Sequence, residues 1–209
     1  MTTAEGGAVT WRDMNGIDNE DLYHLYMLYS LHGQSKDALA KNQLGAWEYN
    51  IAAPWFKCNM TDVHAAIGLG QIRRYDQILA RKKEMIEKYD EAFSTLPIDH
   101  INHYTDDYCS SGHLYIMRMN HKDGIPCTRA KVNSFIVKLA EADIATNVHY
   151  KPLPLHTGYQ NLGFLPTDYP ECIKMFSNEV TLPLHTVMSD EDVDYVIENV
   201  KAVYGELFE

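Results

Sequence analysis

Thr61-Asp62-Val63-His64-Ala65-Ala66-Ile67-Gly68-Leu69-Gly70-Gln71-Ile72, continuing through Arg73-Arg74-Tyr75-Asp76 to Phe93, is the longest periodic stretch of the sequence. Val63, Ile67, Tyr75, Ile78, Leu79, Ile86, Tyr89 and Phe93 recur at spacings near three and four, the period of an α-helix. Thr61 and Asp62 stand where such a helix begins and Pro97 ends it, while Gly68 and Gly70 weaken the early turns and point to a bend or a close helix contact. At about 1.5 Å per residue, an unbroken helix over 62–93 would run roughly 48 Å, longer than a small domain is wide. A helix of that length bridges two domains, so the chain reads as 1–60, a connecting helix over 61–96, and a domain over 97–209.

On the N-terminal side, Glu5-Gly6-Gly7-Ala8-Val9-Thr10-Trp11 reads as the turn and strand of a sheet already under way. An independent domain rarely opens on such a strand, which implies that Met1 is not where the fold begins. Asp18 or Asn19 caps a helix carrying Leu22, Leu25, Met27, Leu28 and Leu31 and ended by Gly33. From Gln34 to Asn59 the periodicity fades, and Trp47, Tyr49, Trp55 and Phe56 gather around Pro54. A loop of that length is either functional or held over the core by its aromatics.

On the C-terminal side, short strands and helices mix. His113–Met119 reads as a strand, 128–142 as an amphipathic helix on Val132, Phe135, Ile136 and Leu139, and 145–150 as a strand broken by Pro152 and Pro154. Glu179–Leu184 is a further strand. Ser189-Asp190-Glu191-Asp192 is a capping box that opens a last helix on Val193, Val196, Ile197, Val200, Val203, Tyr204 and Leu207. Strands with helices on one side make a small α+β domain.

Composition narrows the function. The 209 residues carry 18 Lys and Arg against 29 Asp and Glu, a formal charge of −11, which argues against nucleic acid as a partner. The one basic cluster, Arg73-Arg74 to Arg81-Lys82-Lys83, is interrupted by Asp76 and reads as a solvated helix face. No apolar run approaches the roughly 18 residues that span a bilayer, and the first residues lack the basic start and apolar stretch of a signal peptide. Cys58, Cys109, Cys127 and Cys172 show no paired spacing and read as reduced, mostly structural thiols of a cytoplasmic protein.

Spacing alone identifies no chemistry. His100 and His103 are a weak metal pair without further ligands nearby in sequence, and no metal site is expected. His149, His156 and His185 lie near strand ends flanked by proline, where sites often sit, though each reads equally as a structural histidine. Ser110-Ser111 lacks the context of a hydrolase nucleophile, and no glycine-rich phosphate loop occurs.

A set of segments, in order, adds what spacing does not: Thr2-Thr3-Ala4-Glu5-Gly6-Gly7-Ala8, Phe56-Lys57-Cys58-Asn59-Met60-Thr61-Asp62-Val63-His64-Ala65-Ala66-Ile67-Gly68-Leu69, His113-Leu114-Tyr115, Asn147-Val148-His149-Tyr150-Lys151-Pro152-Leu153-Pro154, and Leu182-Pro183-Leu184 followed by Ser189-Asp190-Glu191-Asp192-Val193. Together they resemble the DegT/DnrJ/EryC1/StrS family of pyridoxal-phosphate (PLP) sugar aminotransferases, over essentially the whole chain. Trp47-Glu48-Tyr49 and Phe56-Lys57 look like the branch that makes amino sugars for bacterial surface polysaccharides. The resemblance implies the C-terminal part of a fold type I PLP-dependent transferase. Residues 1–60 would be the tail of the large PLP-binding domain with an active-site loop, and 97–209 the small domain with a short, mostly antiparallel sheet. It implies transfer of an amino group from glutamate to a nucleotide-linked keto-sugar, by a homodimer or higher oligomer.

The same resemblance places the Schiff-base lysine just before Thr2-Thr3-Ala4-Glu5-Gly6-Gly7, upstream of Met1, so no catalytic residue is expected within the chain. Used alone, the chain is therefore expected to hold no PLP and to be inactive, either as one part of a longer enzyme, as half of a split enzyme with a separate N-terminal half, or as a non-catalytic nucleotide-sugar-binding or dimerisation module. Lys57 matches the slot, commonly Asn, that reaches the cofactor phosphate of a neighbouring subunit, and an ammonium suits that role. Asn59 fills the family's usual Arg slot, leaving that role without its residue. His149 and Tyr150 match a strand-end pair facing the substrate. Arg118 is read either as a contact to a substrate carboxylate or phosphate or as one half of a surface ion pair.

Overall fold

The computed structural model describes residues 1–35 and 48–208; Trp47, with the rest of 36–47, lies outside them. The chain divides into two compact units, Met1–Tyr75 and Asp76–Glu209.

In the first unit, helix α1 (Asn19–Ser30) starts at Asp18, whose carboxylate accepts from the amides of Glu20 and Asp21. Gly33 ends it: its amide donates to the Leu28 carbonyl at 2.8 Å. With φ at +76° and a Cβ that would fall 2.0 Å from the Ala53 carbonyl oxygen, no other residue fits there. Single bridges join Gln34 to Ile51 and Leu31 to Lys57, closing the base of the aromatic loop. The strand expected near Val9 is not formed, because no described segment lies alongside to take its hydrogen bonds, and Val9 is exposed.

The stretch 62–93 is two helices, α2 (Asp62–Ile72) and α3 (Tyr75–Phe93), where the periodicity predicts one. The amide of Arg74 donates to the carbonyl of Gln71, a tighter i→i−3 turn that ends α2, after two glycines that lower its helix propensity. Thr61 caps α2 as expected, its hydroxyl accepting from the His64 amide.

The second unit is built on an antiparallel sheet in the order β1 (Ile98–His100), β2 (Tyr115–Met119), β3 (Glu179–Leu182). Alternation along β2 sends Tyr115, Met117 and Met119 into the core, with Ile116 and Arg118 on the other face. On the core side lie α3, α4 (Arg129–Glu141) and α7 (Asp190–Phe208), contributing Met85, Ile86, Tyr89 and Phe93, then Val132, Phe135 and Leu139, then Val193, Val196, Val200 and Tyr204 to one apolar cluster. This is the expected α+β arrangement. Between α4 and β3 run two short helices, α5 (Thr157–Gln160) and α6 (Pro170–Ser177).

Two local expectations need correction. The segment 145–150 is not a strand; it makes one bridge, Asn147 to Thr181. The next amide a ladder would use, that of His149, is taken by the Glu179 side chain, and Pro152 has no amide to give. Of the four free thiols only Cys127 is buried, whereas Cys58, Cys109 and Cys172 are exposed, so the structural reading holds for one of them.

Candidate functional site

The outward face of the sheet forms the floor of a cleft of about 460 Å³ within the second unit. Arg118 projects into it from β2, Asp99 stands opposite on β1, and Glu179 opposite on β3, positions fixed by the antiparallel register. His149 and Tyr150 enter from the segment after the Asn147–Thr181 bridge, and Met175 and Phe176 of α6 supply an apolar wall. The cleft therefore gathers three of the side chains singled out in the sequence: Arg118, His149 and Tyr150.

Arg118 is anchored through one edge. Nη2 lies 3.1 Å from Asp99 Oδ2 and Nη1 contacts Met175 Sδ at 3.1 Å, both groups being partly exposed. Asp99 is itself steadied by Asn120 Nδ2, which donates to the same oxygen. The ion-pair reading of Arg118 is thus realised. Among the described residues its Nε hydrogen has no partner, so a guanidinium donor remains for an anion. A polar recess of about 520 Å³ continues past Arg118 and Asp99 towards Asn120, Lys174 and Asn178.

His149 is held more completely. Its amide donates to both carboxylate oxygens of Glu179, at 3.3 and 3.2 Å, its ring Nδ1 is 2.8 Å from Thr181 Oγ1, and that hydroxyl donates to Glu179 Oε1 at 2.8 Å. Glu179 and Thr181 are almost fully buried. Tyr150 packs edge-on against the His149 ring with 4.7 Å between centroids and is largely exposed. Neither Glu179 nor Thr181 is singled out by the sequence reading. The signal was two polar residues in a four-residue strand otherwise made of Val180 and Leu182.

Two other histidines, His100 and His103, pack against Tyr115. The Tyr115 ring lies between those of His100 and His103, with interplanar angles of 18° and 13°, and its hydroxyl donates to Asp90 at 2.8 Å. Burial, reinforced by Asp90, pushes the Tyr115 phenol well above its ordinary value. His103 is buried with Nδ1 on Ser110 Oγ and Nε2 without a partner, and burial pushes its pKa down. Among the described residues no three His, Cys, Asp or Glu are grouped to hold a metal ion.

Lys57 belongs to the first unit and is not among the residues that line the cleft. It is exposed, and its ammonium bonds Asn59 Oδ1. Nearby in sequence to the start of the chain, Gly6 adopts φ +144°, in keeping with a glycine turn at Glu5-Gly6-Gly7.

Residues 1–201 match the DegT/DnrJ/EryC1/StrS aminotransferase family. The chain belongs to this family. Among curated relatives it is 34% identical over 205 residues to the spore coat polysaccharide biosynthesis protein SpsC of Bacillus subtilis, covering 97% of this chain and 50% of SpsC. Among solved structures, Spr1654 of Streptococcus pneumoniae in its PMP form superposes with a TM-score of 0.89 at 50% identity, over 98% of this chain and 50% of that one. Helicobacter pylori PseC, an aminotransferase involved in the biosynthesis of pseudoaminic acid, shares the fold at 22% identity with a TM-score of 0.73, over 90% of this chain and 47% of that one. The chain spans about half the length of the relatives it matches.

Proposed function

We propose that the chain is the sugar-nucleotide-binding portion of a PLP-dependent sugar aminotransferase, one that moves the amino group of glutamate onto a nucleotide-linked keto-sugar for surface polysaccharide synthesis. The observation that carries this reading is the convergence of Arg118, His149 and Tyr150 on one cleft. A guanidinium answers a phosphate or carboxylate, and an imidazole beside an aromatic ring answers a polyhydroxylated ring. The polysaccharide role of SpsC supports the choice of substrate class.

PLP, when bound, supplies the electron sink that lets an amino group change partners. To hold it, a protein offers a cation to the phosphate, a lysine amine to the aldehyde and a carboxylate to the ring nitrogen. The exposed Lys57 suits the phosphate. No lysine lines the cleft, and the half-buried Lys82 is spent on the carbonyls of Gly112, His113 and Leu184. The described residues therefore fit the phosphate end of the group and not its reacting end. In this reading the 209-residue segment by itself binds the sugar nucleotide, orients it through Arg118 and His149, and does not transaminate.

α1 buries none of its side chains, and α2 buries only Gly68, leaving Tyr23, Val63, Leu69 and Ile72 exposed. Such surfaces favour association with further polypeptide: a second copy in a homodimer or higher oligomer, or a separate N-terminal half. We place the protein in the cytoplasm; among the described residues no helix is long and apolar enough to cross a membrane.

Calorimetric titration of the segment with a panel of nucleoside-diphosphate hexoses tests the reading. At least one should bind, and R118A and H149A should each weaken it about tenfold, or roughly 1.4 kcal/mol. Absence of binding across the panel, or affinity indifferent to both substitutions, would contradict it.

A further inference from the structure

The hydrogen-bond chain beneath His149 decides where its ring proton sits. Thr181 Oγ1 carries one hydrogen and stands 2.8 Å from two neighbours, Glu179 Oε1 and His149 Nδ1. A carboxylate has no hydrogen to give, and this one already accepts the His149 amide with both oxygens. Were the threonine hydrogen turned to the imidazole, two oxygen lone pairs would face each other at 2.8 Å in a nearly sealed position. The hydrogen therefore points at Glu179, and Nδ1 must donate to Thr181. In the neutral imidazole the other nitrogen is then bare. Nε2 has no partner among the described residues and is not one of the buried unpartnered atoms, so it is open to solvent on a side chain that lines the cleft.

We infer that Thr181 and Glu179 are positioning residues that hold His149 as its Nδ1–H tautomer, presenting Nε2 as a hydrogen-bond acceptor in the cleft. An acceptor there takes a hydroxyl or amino hydrogen of the ligand and offers nothing to a phosphate. Two roles in the cleft are thus set apart: Arg118 serves the anionic part of the ligand, and His149 serves the hydrogen-bearing part, the sugar ring. The assignment of these ligand groups rests on the function proposed above. The tautomer does not, since it follows from the hydrogen bonds alone.

The test is two-dimensional proton–nitrogen spectroscopy of the histidine side chains, on the 209-residue chain at mildly alkaline pH, where an ordinary imidazole is neutral. Wild type should show His149 as Nδ1–H, and T181S should keep that pattern because it keeps the hydroxyl. T181V, close in shape and without the hydroxyl, should lose it and turn to the Nε2–H form that free histidine prefers in water. Adding the nucleoside-diphosphate hexose that binds best should shift Nε2, with an affinity about tenfold weaker in T181V; inorganic pyrophosphate should leave Nε2 in place. A wild-type ring in the Nε2–H form, or a T181V ring unchanged from wild type, overturns the inference whatever the cleft binds. An Nδ1–H ring that the hexose does not shift overturns the ligand assignment and the proposed function while leaving the positioning roles standing.

Discussion

Tyr89 on α3 is fully buried, stacks on Phe93 with 5.8 Å between centroids, packs at a tilt against Tyr115 at 4.9 Å, and donates its hydroxyl to the Pro183 carbonyl just beyond β3 at 3.0 Å. It joins α3, β2 and the end of β3 through two separable interactions, and two substitutions pull them apart. Y89F removes only the hydroxyl, and a net hydrogen bond of this kind is worth about 0.5–1.5 kcal/mol. Y89A removes the ring as well and leaves a cavity in the shared core, for which large aromatic-to-alanine changes cost about 3–5 kcal/mol. The loss in Y89A is therefore predicted to be at least about twice, and at mid-range about four times, that in Y89F. Because the two units need not unfold together, the free energies are best read from native-state hydrogen exchange in peptides of the second unit alone. Protection should fall in parallel in α3, β2, α4 and α7, since their side chains share one cluster. Y89F costing as much as Y89A, or exchange rising in α3 while α7 stays protected, would refute the common core.

Two further changes follow from the second unit. The capping box at α7 is reciprocal, with the Asp192 amide on Ser189 Oγ at 3.1 Å and the Ser189 amide on Asp192 Oδ2 at 2.8 Å. S189A should lower stability by about 1 kcal/mol, and in a double-variant cycle with D192A the losses should add to less than their sum; strict additivity would deny the box. The buried His103 has its pKa pushed below the ordinary 6.5 by desolvation, so the folded state binds its proton less readily than the unfolded chain. Its contribution is present above that ordinary value and is lost as pH falls through it towards the lower folded value, by at most about 1.4 kcal/mol per pH unit. Urea melts of the second unit should show that acid-side slope and an H103Q variant should flatten it; a slope that survives the substitution would assign it to another group.

Local signals carried much of the fold. The side chains of Asp18, Thr61 and Ser189 cap the helices that the sequence assigns to them, and Thr128, where the sequence begins its helix, is the cap of α4; a cap is a bond between neighbours and needs no tertiary partner. The strand read over His113–Met119 is present as Tyr115–Met119, and its two faces are set by the burial of Tyr115, Met117 and Met119 in the structure. What failed to show depended on distant groups. The strand at 145–150 was lost because Glu179, 30 residues on, takes the His149 amide. The long helix breaks where Arg74 turns back onto Gln71, a matter of one hydrogen bond that periodicity does not register. α6 went unread, although Pro170 in its first turn is an ordinary start signal. In the cleft, Arg118, His149 and Tyr150 were legible through the resemblance to a family, whereas Glu179 and Thr181 emerged only once β3 was seen beneath His149.

The most direct test of the account is amide chemical-shift mapping of the 209-residue chain during titration with the nucleoside-diphosphate hexose that binds it best. Binding in the cleft predicts perturbations concentrated at 116–118 on β2, 148–150 beside Glu179, and 172–176 on α6. Shifts confined to other parts of the chain, with those three segments silent, would contradict the claim that Arg118, His149 and Tyr150 form the substrate site.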